Sequence, residues 1–83
     1  MRVVGEIPHP VYKITLFFHD ERWTIQVANG PYQVRTSIMQ IEGLETVEDI
    51  HAFVNEPFLL RIRDLFEGIH HTTQDRLKEM IAG

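Results

Sequence analysis

The sequence predicts an α+β fold, a three-stranded antiparallel meander (β-β-β-α-α) with two C-terminal helices packed on one face of the sheet. Three observations predict it. Apolar and polar residues alternate through 11–19 and again through 23–28, on either side of a polar break. An Asn29-Gly30 turn signal follows, and the alternation resumes from Tyr32 to about Gln40. After Glu42-Gly43-Leu44-Glu45 the apolar spacing changes from two to three or four, the period of a helix.

Residues 1–10 read as an extended lead-in, with room for a short edge strand at 2–4. In Ile7-Pro8-His9-Pro10 each proline pushes its predecessor into an extended conformation, so this stretch is not helical. The meander occupies 11–41. A four-residue loop, His19-Asp20-Glu21-Arg22, sets Phe18 opposite Trp23, Leu16 opposite Ile25 and Ile14 opposite Val27. All three pairs are apolar and share a face, and a slip of one residue destroys all three matches. For the second hairpin, Pro31 has no N–H to close a two-residue Asn-Gly loop. A loop of Ala28 to Pro31 avoids the conflict and sets Val27 opposite Tyr32, Ile25 opposite Val34 and Trp23 opposite Thr36. The apolar face is then Ile14, Leu16, Phe18, Trp23, Ile25, Val27, Tyr32, Val34 and Ile38.

The helical part spans 46–82. Thr46 followed three residues later by Asp49 resembles a capping box, and Val47, Ile50 and Val54 then recur at helical spacing, giving a short helix over 47–54. Asn55 is placed to cap a second helix, and Pro57 is tolerated in that helix's first turn. Apolar residues at 58, 62, 65, 66, 69, 77 and 80 mark a long amphipathic helix over 56–82 that ends at Gly83. Gly68 costs it about 1 kcal/mol relative to alanine. Thr72 with Asp75 offers a fresh cap, so a break near 68–72 competes with the continuous helix, which is the favoured reading.

Composition sets the outer limits. An 83-residue chain is expected to be a single domain, too short for two cores. Its 43% hydrophobic and 24% charged residues match an ordinary globular chain, which argues against disorder. With no cysteine there is no disulfide, thiolate ligand or thiol nucleophile. No apolar run reaches the ~20 residues of a membrane span, and the first ten residues carry no secretion signal, so the expected location is cytoplasmic. The net charge of −4 is concentrated late, since residues 42–83 hold nine acids against four bases. A chain of that sign repels phosphate at long range, which argues against nucleic acid as a partner.

Few constellations point to chemistry. Glu67, His71 and Asp75 recur at four-residue spacing, with His70 beside them. On a helix they fall opposite the apolar face, so an ordinary solvated stripe is preferred to a metal site. His51 and His70 can be brought together by helix packing, but a backbone-bonded histidine explains each more simply. Ser37 is the only serine and lies mid-strand, and the five glycines are isolated, so neither a nucleophile elbow nor a phosphate loop is present. The carboxylate pairs Asp20-Glu21 and Glu48-Asp49 suit a turn and a helix N-terminus. The expectation is therefore no catalytic residue, no metal and no cofactor.

Two surfaces remain. The open face of the sheet is expected to carry Lys13, Phe17, Arg22 and Arg35 and no carboxylate. Basic sheets with exposed aromatics stack single-stranded bases, usually on two or more rings, whereas here there is one. Cover by the N-terminal segment, cover by a second subunit, or a lone exposed ring explains Phe17 as well. The other surface is the end of the long helix. At ~1.5 Å per residue a helix over 56–82 measures roughly 40 Å, whereas strands of about eight residues reach roughly 26 Å. Leu77, Met80 and Ile81 then overhang the sheet, and Arg76 shares a stripe with Phe58, Leu65 and Ile69. An interface accommodates such an arginine through its stem, with its head paired to an acid of the other chain. The polar face of the helix mixes acids and bases, unlike a membrane-surface helix. These readings make the protein a non-enzymatic interaction or self-assembly module, a homodimer or higher homo-oligomer with a possible further protein partner. Binding of single-stranded nucleic acid or another polyanion on the basic sheet face is the alternative.

Overall fold

Pairing runs the length of the N-terminal half. The structure, a computed structural model, describes residues 2–82. Four strands, β1 (Arg2–Ile7), β2 (Lys13–His19), β3 (Arg22–Asn29) and β4 (Tyr32–Met39), form one antiparallel sheet in chain order, followed by helices α1 (Val47–Phe53) and α2 (Glu56–Ala82). The sheet thus has four strands where the sequence predicts three. The lead-in is itself the edge strand β1, which pairs with β2 from Arg2 opposite Phe18 to Ile7 opposite Ile14. A bulge between Val3 and Gly5 interrupts the ladder. The extra residue, Val4, packs against the core, so two adjacent valines serve opposite faces without the alternation that betrays a strand. The turn after β1 is held by His9, whose Nδ1 accepts from the backbone N–H groups of Val11 and Tyr12.

The β2–β3 register sets Phe18 opposite Trp23, Leu16 opposite Ile25 and Ile14 opposite Val27, as expected. The ladder continues one pair further, to His19 opposite Arg22, leaving a two-residue loop. Asp20 and Glu21 both have positive φ, 50° and 59°, the type I′ geometry whose twist matches the flanking strands. The second hairpin differs from expectation by two residues. Its loop is Gly30-Pro31, with Asn29 opposite Tyr32, Val27 opposite Val34, Ile25 opposite Thr36 and Trp23 opposite Ile38. The closing N–H belongs to Tyr32, not to Pro31. Gly30 supplies the positive φ of 59° at the first loop position and Pro31 a fixed negative φ at the second, which is a type II′ turn. A shift of two preserves side-chain parity, so the apolar face is unaffected.

That face and the helices enclose the core: Ile14, Leu16, Trp23, Ile25 and Val27 from the sheet, Ile50 and Val54 from α1 and its C-cap, Leu59, Ile62 and Phe66 from α2. Phe18, Tyr32, Val34 and Ile38 pack against it half-buried, so all nine residues expected on the apolar face contribute. Burial of each large side chain stabilises by about 1.5–3 kcal/mol. Trp23 also ties the β4–α1 connection to the sheet, its Nε1 donating to the Leu44 carbonyl at 2.9 Å.

The capping box forms as expected. The Asp49 backbone N–H donates to Thr46 Oγ1, and the Asp49 carboxylate accepts from the backbone N–H groups of Glu45 and Thr46. Those backbone bonds, that from Glu45 first, hold the Asp49 carboxyl below the ordinary carboxylate value. Helix α1 ends at Phe53, with Val54 as its C-cap, and the Asn55 side chain accepts from the Phe58 N–H at the start of α2. Helix α2 is continuous through Gly68, and the alternative cap at Thr72 is not used. The expected stop at Gly83 lies outside the described residues.

Candidate functional site

The two surfaces singled out from the sequence differ in how much of their chemistry is already engaged. On the open face of the sheet, register places Val3 beside Phe17, then Thr24 and Ser37, in one row across the strands. The next row is Glu6, Thr15, Gln26 and Arg35. Thr15 and Thr24 are buried by these neighbours, and Thr24 Oγ1 and Ser37 Oγ share a hydrogen bond of 2.8 Å. The Arg35 guanidinium lies over the Phe17 ring, 5.4 Å from its centroid, and donates from Nε and one terminal nitrogen to Gln26 Oε1. Arg35 and Phe17 thus satisfy each other, a contact of about 0.5–1 kcal/mol at an exposed site. Lys13 and Arg22 stand near opposite ends of the face, opposite Ala28 and opposite His19 and Met39. The expectation of a face without carboxylates needs correcting, because β1 brings Glu6 into it, opposite Thr15. The N-terminal strand flanks Phe17 through Val3 and does not fold over it.

The other surface is the projecting half of α2. The chain measures 52 Å along its longest axis and 25 Å along the next, and its radius of gyration of 15.4 Å exceeds the roughly 12 Å of a compact chain this long. The excess is helix. Leu59, Ile62 and Phe66 lie buried over the sheet, and the last sheet contact of the helix is that of Tyr32, at the start of β4, with His70. At about 100° per residue, Leu59, Ile62, Phe66, Thr73, Leu77 and Met80 fall within an arc of about 60°. One line of side chains therefore runs from the core straight out into solvent. Leu77 is 47% exposed, Met80 64% and Ile81 84%. Ile69, beside the line, is also exposed. Arg76 lies at the edge of the line, with Leu65 exposed and Phe58 half-buried on its own stripe. Its guanidinium donates to Glu79 of the same helix at 3.0 Å, in open solvent.

The sequence reading omits Leu59 from the covered stripe, and it omits a cleft. Where the overhang begins, a hollow of about 390 Å³ separates α2 from the loops at that end of the sheet. Val11, Tyr12, Asn29 and Tyr32 form one wall, and Arg63, Phe66, Glu67, His70 and His71 form the other. Tyr32 Oη and His70 Nδ1 are 3.0 Å apart, and Tyr12 packs on Phe66 on one side and stacks on His9 on the other. Glu67 and His71, expected on a purely solvated stripe, thus border this hollow. No local pattern announces it, because its walls are more than thirty residues apart in the chain. His51 and His70 do not meet: His70 contacts Tyr32 and His71, whereas His51 is exposed on α1. Among the described residues no three histidine or carboxylate side chains gather as metal ligands, and no helix is long and apolar enough to cross a membrane. Compared with known family models, curated proteins and solved structures, the chain matches none of them.

Proposed function

We propose that the protein is a non-enzymatic self-assembly module that pairs with a second copy through the projecting half of α2. One observation carries this reading: the line that buries Leu59, Ile62 and Phe66 passes a half-buried Thr73 and resumes at Leu77 and Met80, which are exposed with nothing of their own chain to cover them. Residues 69–82 carry Asp75, Arg76, Lys78 and Glu79, a net charge of zero, so this segment does not repel its own copy although the chain as a whole carries −4. A twofold pairing covers both overhangs at once, and twofold dimers are the commonest homo-oligomers. Covering Ile69, Leu77, Met80 and Ile81 in both copies, at about 1–2 kcal/mol for each part-exposed side chain, is of the size needed to offset an association cost of about 4–15 kcal/mol.

Sedimentation equilibrium at tens of micromolar should give about twice the 9.7 kDa of one chain, and Leu77→Asp with Met80→Asp should return the monomer mass. A parent mass of 9.7 kDa under those conditions overturns the reading. The polyanion alternative rests on Lys13, Arg22, Arg35 and Phe17, and the Arg35–Phe17 contact has to open before a base can stack on that ring. Filter binding of single-stranded RNA and DNA at low and high salt tests it. Tight binding with a steep salt slope, lost in Lys13→Glu with Arg35→Glu, would favour the alternative.

A further inference from the structure

The projecting helix and the cleft at its base make a plug and a socket on the same molecule. Phe66 and His70 in the wall of the cleft, and Leu77 and Ile81 further along, lie within about 60° of arc on α2. The cleft therefore opens along the line that the overhang exposes. Ile81 is the most exposed large apolar residue among those described, whereas the cleft offers apolar and aromatic walls in Val11, Tyr12, Tyr32 and Phe66. The two cannot meet within one chain, because α2 is continuous between them and Ile81 lies eleven residues beyond His70, about 16 Å along the axis.

We infer that the two copies lie antiparallel and that the cleft of each receives Ile81 of the other, with Leu77 seated just outside its mouth. The inference rests on the self-assembly reading above and adds the direction and the seat. If 69–82 of one copy is to cover 69–82 of the other in antiparallel fashion, residue 69 stands level with residue 82 of its partner. His70 is then level with the second copy's Ile81, and Gln74 with its Leu77. In a twofold pairing each surface meets its own equivalent, so the flank bearing His70 and Ile81 faces the same flank of the other copy. Both plugs reach both sockets in one arrangement. A parallel pairing sets Ile81 beside Ile81 and leaves both clefts empty. The antiparallel arrangement also lays the second copy's helix end to end with the sheet, in the layer that the sheet occupies over Leu59 and Phe66.

The chain has no cysteine, so single reporters can be introduced cleanly. Val11→Cys and Ile81→Cys both alter exposed side chains and should fold as the parent does. An equimolar mixture of the two full-length variants, treated with a short bis-maleimide, should yield mainly the mixed Val11→Cys–Ile81→Cys product. Val3→Cys, on the open face of the sheet, replaces Val11→Cys in the control and should give none. If the parent sediments as a dimer but Ile81→Cys links chiefly to itself, the antiparallel seat is wrong and self-assembly stands. If the parent sediments as a monomer, both fall together.

Discussion

The two halves of α2 are built alike and live differently. From Glu56 to Phe66 the helix lays Leu59, Ile62 and Phe66 over the sheet, each less than a tenth exposed. From Ile69 to Ala82 the same arc passes a half-buried Thr73 and carries Leu77 and Met80 into solvent. Amphipathic pattern does not distinguish them. What does is the reach of the strands, since β2, β3 and β4 of seven or eight residues span roughly 26 Å against roughly 40 Å of helix. A helix that outlives its cover gains nothing from continuing the apolar line as a monomer, and the proposal above rests on that difference.

Substitutions on either side of that divide should behave in opposite ways. Phe66→Ala, under the covered half, should cost about 3–5 kcal/mol, and Trp23→Ala, in the sheet that covers it, a similar amount plus the bond to Leu44. Either is a large share of the roughly 4–12 kcal/mol available to a domain of this length. Leu77→Ala should fall within about 0.5 kcal/mol of the parent in dilute solution, where the exposed half contributes little. Under the self-assembly proposed above, its effect should grow with protein concentration, because a variant that weakens association loses the stabilisation that association gives. Thermal melts across a concentration series check all three. A large, concentration-independent loss in Leu77→Ala would erase the distinction between the halves.

A smaller effect sits at the junction. A methyl group added to Gly68 meets no atom within 4 Å, so Gly68→Ala should raise stability by about 0.5–1 kcal/mol and stiffen the overhang without disturbing either half. Circular dichroism melts would measure it, and a loss of stability would mean that Gly68 serves a bend that the continuous helix does not show. Furthest from the divide, the Asp49 carboxyl is held below its ordinary value by backbone hydrogen bonds. A group whose folded value is lowered contributes its stability above the unfolded value, about pH 3.9, and loses it as the pH falls through the folded value. The difference in melting temperature between the parent and Asp49→Ala should therefore be present at neutral pH and close as the solution is acidified below about pH 4. A difference that stays constant would show that the carboxylate's charge plays no part in the cap.

Side-chain parity was legible in β2, β3 and β4 because one face of a sheet must be apolar and the other need not be. The first hairpin register followed from three matched pairs, and the start of α1 from Thr46 and Asp49. Strand β1 was legible only in part, as room for a short edge strand at 2–4, whereas it runs from Arg2 to Ile7. Its bulge breaks the alternation, Gly5 has no side chain to mark a face, and its stability comes from pairing with β2. The second hairpin was misplaced by two residues because Asn29-Gly30 is the commoner turn signal, whereas Gly30-Pro31 satisfies the same geometry with the proline nitrogen needing no partner. On the open face, Glu6 was overlooked for the same reason as β1.

Local chemistry thus determined which residues alternate, which recur at helical spacing, where α1 is capped and which side chains are apolar enough to form a core. Each of these depends on neighbours within a few residues. The tertiary structure decided what no local pattern contains: that the N-terminal segment closes the edge of the sheet, that Arg35 rests on Phe17, that Tyr12 and Tyr32 face His70 across a cleft, and how far along α2 its cover extends. These depend on groups distant in the chain meeting in space, and the length of the overhang depends on the difference between the rise of a helix and the reach of a strand.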